Sequence, residues 1–225
     1  MAIFRKKSTG PAVKLPKNIQ PVGDTEGSVK VYIKQDVYRD IEEYSALDIH
    51  NEAGSILLGQ HLEDENGMHI IISEYIEAKY TDATASSLTF THDTWDYVHT
   101  RHEKRCPEKI ILGWHHTHPG YDVFLSSYDM FIQENFFDLP FQTAYVVDPV
   151  KDSRGFFAKK EGVISQLDGF FIYDDDNKKP VKLPSAKQTK EKGTVSLPSA
   201  LLYAGLGLLL LTTLVSVFSL FILLT

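Results

Sequence analysis

The chain has 225 residues, 43% of them hydrophobic and 12% aromatic, with a single cysteine. That is apolar material for about one packed domain with residues to spare, and it excludes a disordered chain and a disulfide scaffold. The net charge of −7 is unevenly laid out: residues 21–176 hold 12 basic against 29 acidic side chains, a net of −17, while residues 1–20 and 177–193 are each +5. A nucleic-acid-binding face is not expected on so acidic a core, and no nucleic-acid partner is assigned.

Residues 1–28 read as a basic N-terminal arm. Residues 29–34 form an apolar strand, after which Val37, Ile41, Tyr44 and Leu47 recur at helical spacing and predict a helix over 36–49. The Ile- and Leu-rich runs 54–62 and 68–78 flank Asp64-Glu65-Asn66-Gly67, a strong hairpin signal. Thr91 is placed to cap a helix through Trp95, Val98 and His102, with Pro107 ending it. A short strand over 109–115, a helix capped by Ser127 and running to Phe137, and a strand over 142–147 follow. Runs 156–159 and 163–173 close the domain as a strand pair. Interleaved strands and helices predict an α/β (α+β) fold, a mixed sheet flanked by helices, over residues 29–176.

Residues 177–198 contain three prolines and six lysines and read as a tether, which leads into an uncharged segment over 199–225. The 25 residues from 200 to 224 would make a helix of about 37 Å against a hydrocarbon core of about 30 Å, so one C-terminal transmembrane helix is expected. The basic, Pro-containing N-terminus lacks the apolar region of a secretory signal. Lysines before the span orient the folded domain toward the cytoplasm, giving a single-pass tail anchor.

The chemistry lies in residues 113–129, Gly-Trp-His-His-Thr-His-Pro-Gly-Tyr-Asp-Val-Phe-Leu-Ser-Ser-Tyr-Asp. On an extended segment residues two apart share a side, so His116 and His118 present two imidazoles together while His115 and Thr117 face the other way. Pro119 and Gly120 break the strand, and the chain can return to bring Asp129, in the first turn of the next helix, to the same point. Two His and one carboxylate leave a tetrahedral Zn²⁺ with one open position, the pattern of a catalytic site, with one ion per chain. A general base is still needed, and Glu52, at the entrance to a strand able to lie beside the His strand, can supply it. His50 shares strand parity with Glu52, and Tyr121, Val123 and Phe124 are candidates to line a groove. Cys106, beside Pro107 at a helix end, has nothing nearby to activate it.

This constellation resembles the JAMM (MPN+) metalloproteases, whose signature is an upstream Glu, His-Ser/Thr-His-Pro, seven residues to a Ser, then x-x-Asp. Glu52–Gly59 is similar to the family's Glu-x-x-Gly-x-Leu-x-Gly element, and Val147-Asp148-Pro149 with Gly155 to its following strand. The resemblance implies zinc on His116, His118 and Asp129, Glu52 as acid/base, and Ser126 steadying an oxyanion. It further implies a three-layer, cytidine-deaminase-like fold and hydrolysis of isopeptide or peptide bonds after the tail of ubiquitin or a ubiquitin-like protein. Partners are then that modifier or its conjugates and, through the C-terminal helix, the membrane; the oligomeric state is left open. A non-catalytic MPN-type membrane scaffold and an amidase acting on small conjugates are the alternatives.

Overall fold

A computed structural model describes residues 13–175. A mixed sheet of nine strands forms its centre, in the order β1-β11-β2-β4-β3-β7-β8-β9-β10. The strands are β1 Asn18–Gly23, β2 Val29–Lys34, β3 Gly54–Asp64, β4 Gly67–Glu77, β7 Ile110–Thr117, β8 Thr143–Asp148, β9 Ser153–Lys160, β10 Val163–Gln166 and β11 Gly169–Asp174. β5 Asp82–Ala83 and β6 Leu88–Thr89 make a separate two-residue pair. β2 lies parallel to β4 and β11, β7 lies parallel to β8, and β3 and β4 form the antiparallel hairpin expected around Gly67.

Helix α1, Gln35–Ser45, covers one face. Its Val37, Tyr38 and Ile41 pack with Ile33, Leu57, Ile70, Ile72, Tyr145 and Phe156 in the larger core cluster. Arg154 on β9 ties this helix down through Glu42 at 3.2 Å, and the Tyr145 hydroxyl donates to Glu42 at 2.8 Å. Helices α2, His92–Arg105, and α3, Ser127–Phe136, cover the opposite face. There Val98, Ile132 and Phe137 pack against Ile56, Leu58, Trp114, Ala144 and Val146. Thr91 starts α2 with a capping box shared with Thr94, as its sequence suggests.

The strand phase of β7 decides where the site forms. Across β3, Ile111 pairs with Leu58 and Gly113 with Leu57, so Leu112 bulges out. As a result Leu112 faces α1 while Ile111 and Trp114 both face α2 and α3, although they are three residues apart. From Trp114 onward alternation resumes, and His116 falls on the α3 side. Gly113 makes this possible with φ of +138°, where an added Cβ would run into the carbonyl oxygen of Thr143 on β8.

Several expectations are corrected. The arm assigned to residues 1–28 contains β1, which adds to the sheet against β11 despite Pro21; at the sheet edge a missing N–H costs no ladder bond on its open side. Helix α1 stops at Ser45 rather than near residue 49, where Asp48 folds back to accept from the backbone N–H groups of His50 and Asn51. The run 163–173 is two strands, broken where Leu167 turns inward and donates to the Phe156 carbonyl. The apolar segment at 199–225 and the tether at 177–198 lie outside the described residues. Among the described residues no helix is long and apolar enough to cross a membrane.

Candidate metal centre

His116 closes β7 on its α3 face, and His118 follows just after the strand ends, its N–H donating to the Val147 carbonyl at 2.9 Å. Asp129 sits in the first turn of α3. The structure brings all three together, with candidate ligand atoms within 4.8 Å of one another, and all three buried. Nε2 of His116 lies 3.6 Å from Oδ1 of Asp129, and Nε2 of His118 lies 3.4 Å from Oδ2.

The start of α3 explains the placement of Asp129. The Ser126 hydroxyl accepts from the Asp129 N–H at 3.2 Å while the Asp129 carboxylate accepts from the Ser126 N–H at 2.7 Å, a capping box with Asp at its third position. Ser126, rather than Ser127, is therefore the cap. The same reciprocal pair that begins the helix fixes the carboxylate.

Glu52 arrives from the other side, on the two residues before β3. Thr117, which points away from the histidines, anchors it: the Thr117 hydroxyl accepts from Ala53 N–H at 2.8 Å and Thr117 N–H donates to Ala53 carbonyl at 2.9 Å. The Glu52 N–H donates to Thr84 carbonyl, in the loop joining β5 and β6, at 2.8 Å. Its carboxylate Oε1 then lies 3.8 Å from His118 Nε2, and Oε2 is buried without a hydrogen-bond partner.

The electrostatics follow from burial and mutual contact. Burial pushes the Glu52 carboxyl up to about 7, with His118 pulling it down and Asp129 pushing it further up. For Asp129 burial also acts upward, but the imidazoles of His116 and His118 beside it outweigh it and hold the carboxyl well below its ordinary value. Burial lowers His116. His118 is raised, because the carboxylates of Asp129 and Glu52 overcome its burial.

His115 faces the α1 side, as its place in the strand suggests. Its Nε2 meets Ser45 Oγ at 3.0 Å and its Nδ1 meets Ser55 Oγ at 3.1 Å. Ser45 gives its own proton to the Ile41 carbonyl, so Nε2 must be the donor and Nδ1 the acceptor. Complete burial, with His116 as neighbour, lowers its pKa to about 3, keeping it neutral. His50 lies on the exposed loop before Glu52, outside any strand, so parity does not carry it to the site. Cys106 is buried at the end of α2, its thiol raised by burial.

The loop after His118 carries the site's rim. Tyr121 and Phe124 are exposed, with the Phe124 ring 4.7 Å from that of His118, whereas Val123 turns inward to the core. Asp148 holds this loop, accepting from the N–H groups of Gly120 and Asp122, each at 2.8 Å, and of Val150 and Lys151. Sequence reasoning missed this role of Asp148, and it missed the stacking of Trp114 on His116 at 4.2 Å and the hydrogen bond from Trp114 to Gln133 at 2.9 Å. A Gln four residues after Asp129 on the same helix is the signal that would have found the latter.

The architecture is a mixed α+β protein with a buried cluster of two imidazoles and one carboxylate beside a second carboxyl. The chain belongs to the JAB1/Mov34/MPN/PAD-1 ubiquitin protease family, whose pattern matches residues 26–139. It is similar to the 26S proteasome non-ATPase regulatory subunit 14 of Dictyostelium discoideum, 43% identical over 49 residues, which is 21% of this chain and 16% of that protein. It is also similar to the ubiquitin carboxyl-terminal hydrolase RPN11 of Saccharomyces cerevisiae, 39% identical over 49 residues, with the same coverage. The COP9 signalosome complex subunit 5 of Candida glabrata is 34% identical over 91 residues, 39% of this chain and 17% of that protein. The chain thus spans about a sixth of the length of these relatives. Among solved structures, the solution structure of protein DSY2949 from Desulfitobacterium hafniense gives a TM-score of 0.47 at 16% identity, covering 61% of this chain and 90% of that one.

Proposed function

We propose that the chain is a zinc-dependent isopeptidase or peptidase that cleaves after the C-terminal tail of ubiquitin or a ubiquitin-like protein. The observation that carries this reading is the buried convergence of His116, His118 and Asp129 beside Glu52. The donor set fits zinc. Zn–N and Zn–O bonds of about 2.0–2.2 Å at tetrahedral angles place neighbouring donor atoms about 3.4 Å apart. His116 Nε2 lies 3.6 Å from Oδ1 of Asp129 and His118 Nε2 lies 3.4 Å from its Oδ2, separations of that size that end on the two oxygens of one carboxylate. Family membership and similarity to the yeast ubiquitin carboxyl-terminal hydrolase support the substrate class.

In this reading His116 and His118 hold the ion through nitrogen and Asp129 through oxygen. When bound, zinc polarises a carbonyl and acidifies water. Glu52 accepts a proton from the attacking water and delivers it to the leaving amine, a task suited to a carboxyl that burial has pushed toward neutrality. The Ser126 hydroxyl already accepts the Asp129 N–H, so its own hydrogen is free to be donated to the developing oxyanion. Tyr121 and Phe124, exposed beside His118, offer apolar cover to an extended tail.

Membrane attachment belongs to the same proposal. The uncharged run 200–224, preceded by six lysines, supports a tail anchor with the folded domain on the cytoplasmic side.

The test is Glu52→Gln in the full-length chain. The variant is expected to retain one zinc per chain by elemental analysis and to lose cleavage of a ubiquitin-like fusion by at least a hundredfold, the lower end for a general base. Undiminished turnover removes Glu52 from the chemistry, and a wild-type chain without zinc removes the metal.

A further inference from the structure

We propose that Trp114 and Gln133 are positioning residues of the metal centre: the indole ring and the amide that pins it together fix the imidazole of His116. The inference rests on the metal site proposed above. A metal-binding histidine ordinarily donates its second ring nitrogen to a carbonyl or carboxylate, which sets ring rotation and tautomer. His116 is fully buried with Nε2 toward Asp129, and among the described residues no protein group hydrogen-bonds to its Nδ1. Another restraint must hold this ring.

Trp114 supplies it. The indole stacks on the His116 imidazole with centroids 4.2 Å apart and planes 12° from parallel. Phe137 stacks with the same indole at 5.9 Å and Phe90 meets it edge-on at 5.8 Å, so the indole has little room to move. Its Nε1–H donates to Gln133 Oε1 at 2.9 Å, and the Gln133 amide nitrogen donates to the Phe137 carbonyl at 2.7 Å. The indole nitrogen only donates and the carbonyl only accepts, which settles the amide's orientation. His116, Trp114, Gln133 and Phe137 are buried, and Phe90 is partly buried.

Gln133 lies one helical turn beyond Asp129 on α3, so the two side chains share a face. One helix therefore delivers the carboxylate and, through Gln133 and Trp114, sets the imidazole it meets.

The test uses the full-length chain as wild type, Gln133→Leu, Trp114→Phe with Gln133→Leu, and the control Ile132→Val, a buried residue of the same helix. Zinc affinity is read by competition with a chromophoric chelator, and site geometry by the visible absorption of Co²⁺. Gln133→Leu leaves the indole N–H unpaired and is expected to weaken zinc binding about tenfold or more and to change the cobalt spectrum. Ile132→Val is expected to lower thermal stability while leaving both metal readouts at wild-type values. If Gln133→Leu does not fold, the double variant, which removes both polar partners, carries the test with the same expected loss. Wild-type zinc affinity and cobalt spectrum in the folded variant, or an equal change in Ile132→Val, overturn the positioning role alone. A wild-type chain that takes up neither ion overturns the metal reading and this inference with it.

Discussion

Replacing Gly113 with Ala attacks the strand phase on which the site depends. Gly113 has φ of +138°, a region costing an L-residue about 1–3 kcal/mol. A Cβ there also meets the backbone of Thr143 on the parallel neighbour β8, where no flexible side chain can yield. Forced overpacking of this kind costs about 1–3 kcal/mol more, giving roughly 2–6 kcal/mol in all. Domains are stable by about 5–15 kcal/mol, so the variant is expected to fold with its melting temperature lowered by roughly 5–20 °C. If the chain relieves the strain by losing the bulge, residues after it turn over by one position. His116 would then face α1 and Thr117 would face α3, and the metal cluster would come apart. Thermal unfolding and the zinc content of the folded fraction measure the two effects. A melting temperature within about 1 °C of wild type, with full zinc content, refutes the argument that the bulge at Gly113 sets the site.

Burial acts to raise the Asp148 carboxyl, but four backbone N–H groups outweigh it and hold the pKa below the ordinary carboxylate value. A group lowered in the fold stabilises above its unfolded value of about 3.9 and loses that contribution as pH falls through its folded value. Asp148→Asn is therefore expected to cost about 1.5–3 kcal/mol near neutrality, and the gap in melting temperature should close below about pH 4; a gap constant with pH counts against this account. The tail-anchor proposal is checked with protease added to sealed vesicles whose cytoplasmic face is inward: the folded domain should survive, and its digestion reverses the orientation.

The parts of the fold set by local pattern were readable. The hairpin at Gly67, the helix begun by Thr91 and the core strands announce themselves through turn chemistry and apolar runs. The convergence of His116, His118 and Asp129 was readable because the two histidines are close in sequence and Asp129 falls in a helix's first turn. What could not be read was set by partners distant in the chain. β1 looks like part of a basic arm until β11, almost 150 residues later, offers it an edge. The bulge at Leu112 exists only in the pairing of β7 with β3, and Asp148 reveals its role only when four N–H groups from two loops surround it. The choice between Ser126 and Ser127 as cap turned on which hydroxyl reaches the Asp129 N–H.

The two faces of β7 weigh the catalytic reading against the scaffold. His115 and His116 are adjacent and equally buried. On the α1 side, both nitrogens of His115 meet serine hydroxyls. On the α3 side, neither nitrogen of His116 has a hydrogen-bond partner, and Glu52 Oε2 has none either. An unsatisfied buried polar atom costs about 1–3 kcal/mol, so such an arrangement works against the stability of the fold. A protein that needed only the fold could recover that free energy by placing apolar side chains there, as replacement of buried polar clusters is often neutral or stabilising. It could equally have supplied hydroxyls, as the chain does for His115. Keeping four ionisable groups together with open valences disfavours the fold unless something binds them, and a metal ion would take up Nε2 of His116 and the Asp129 carboxylate at once.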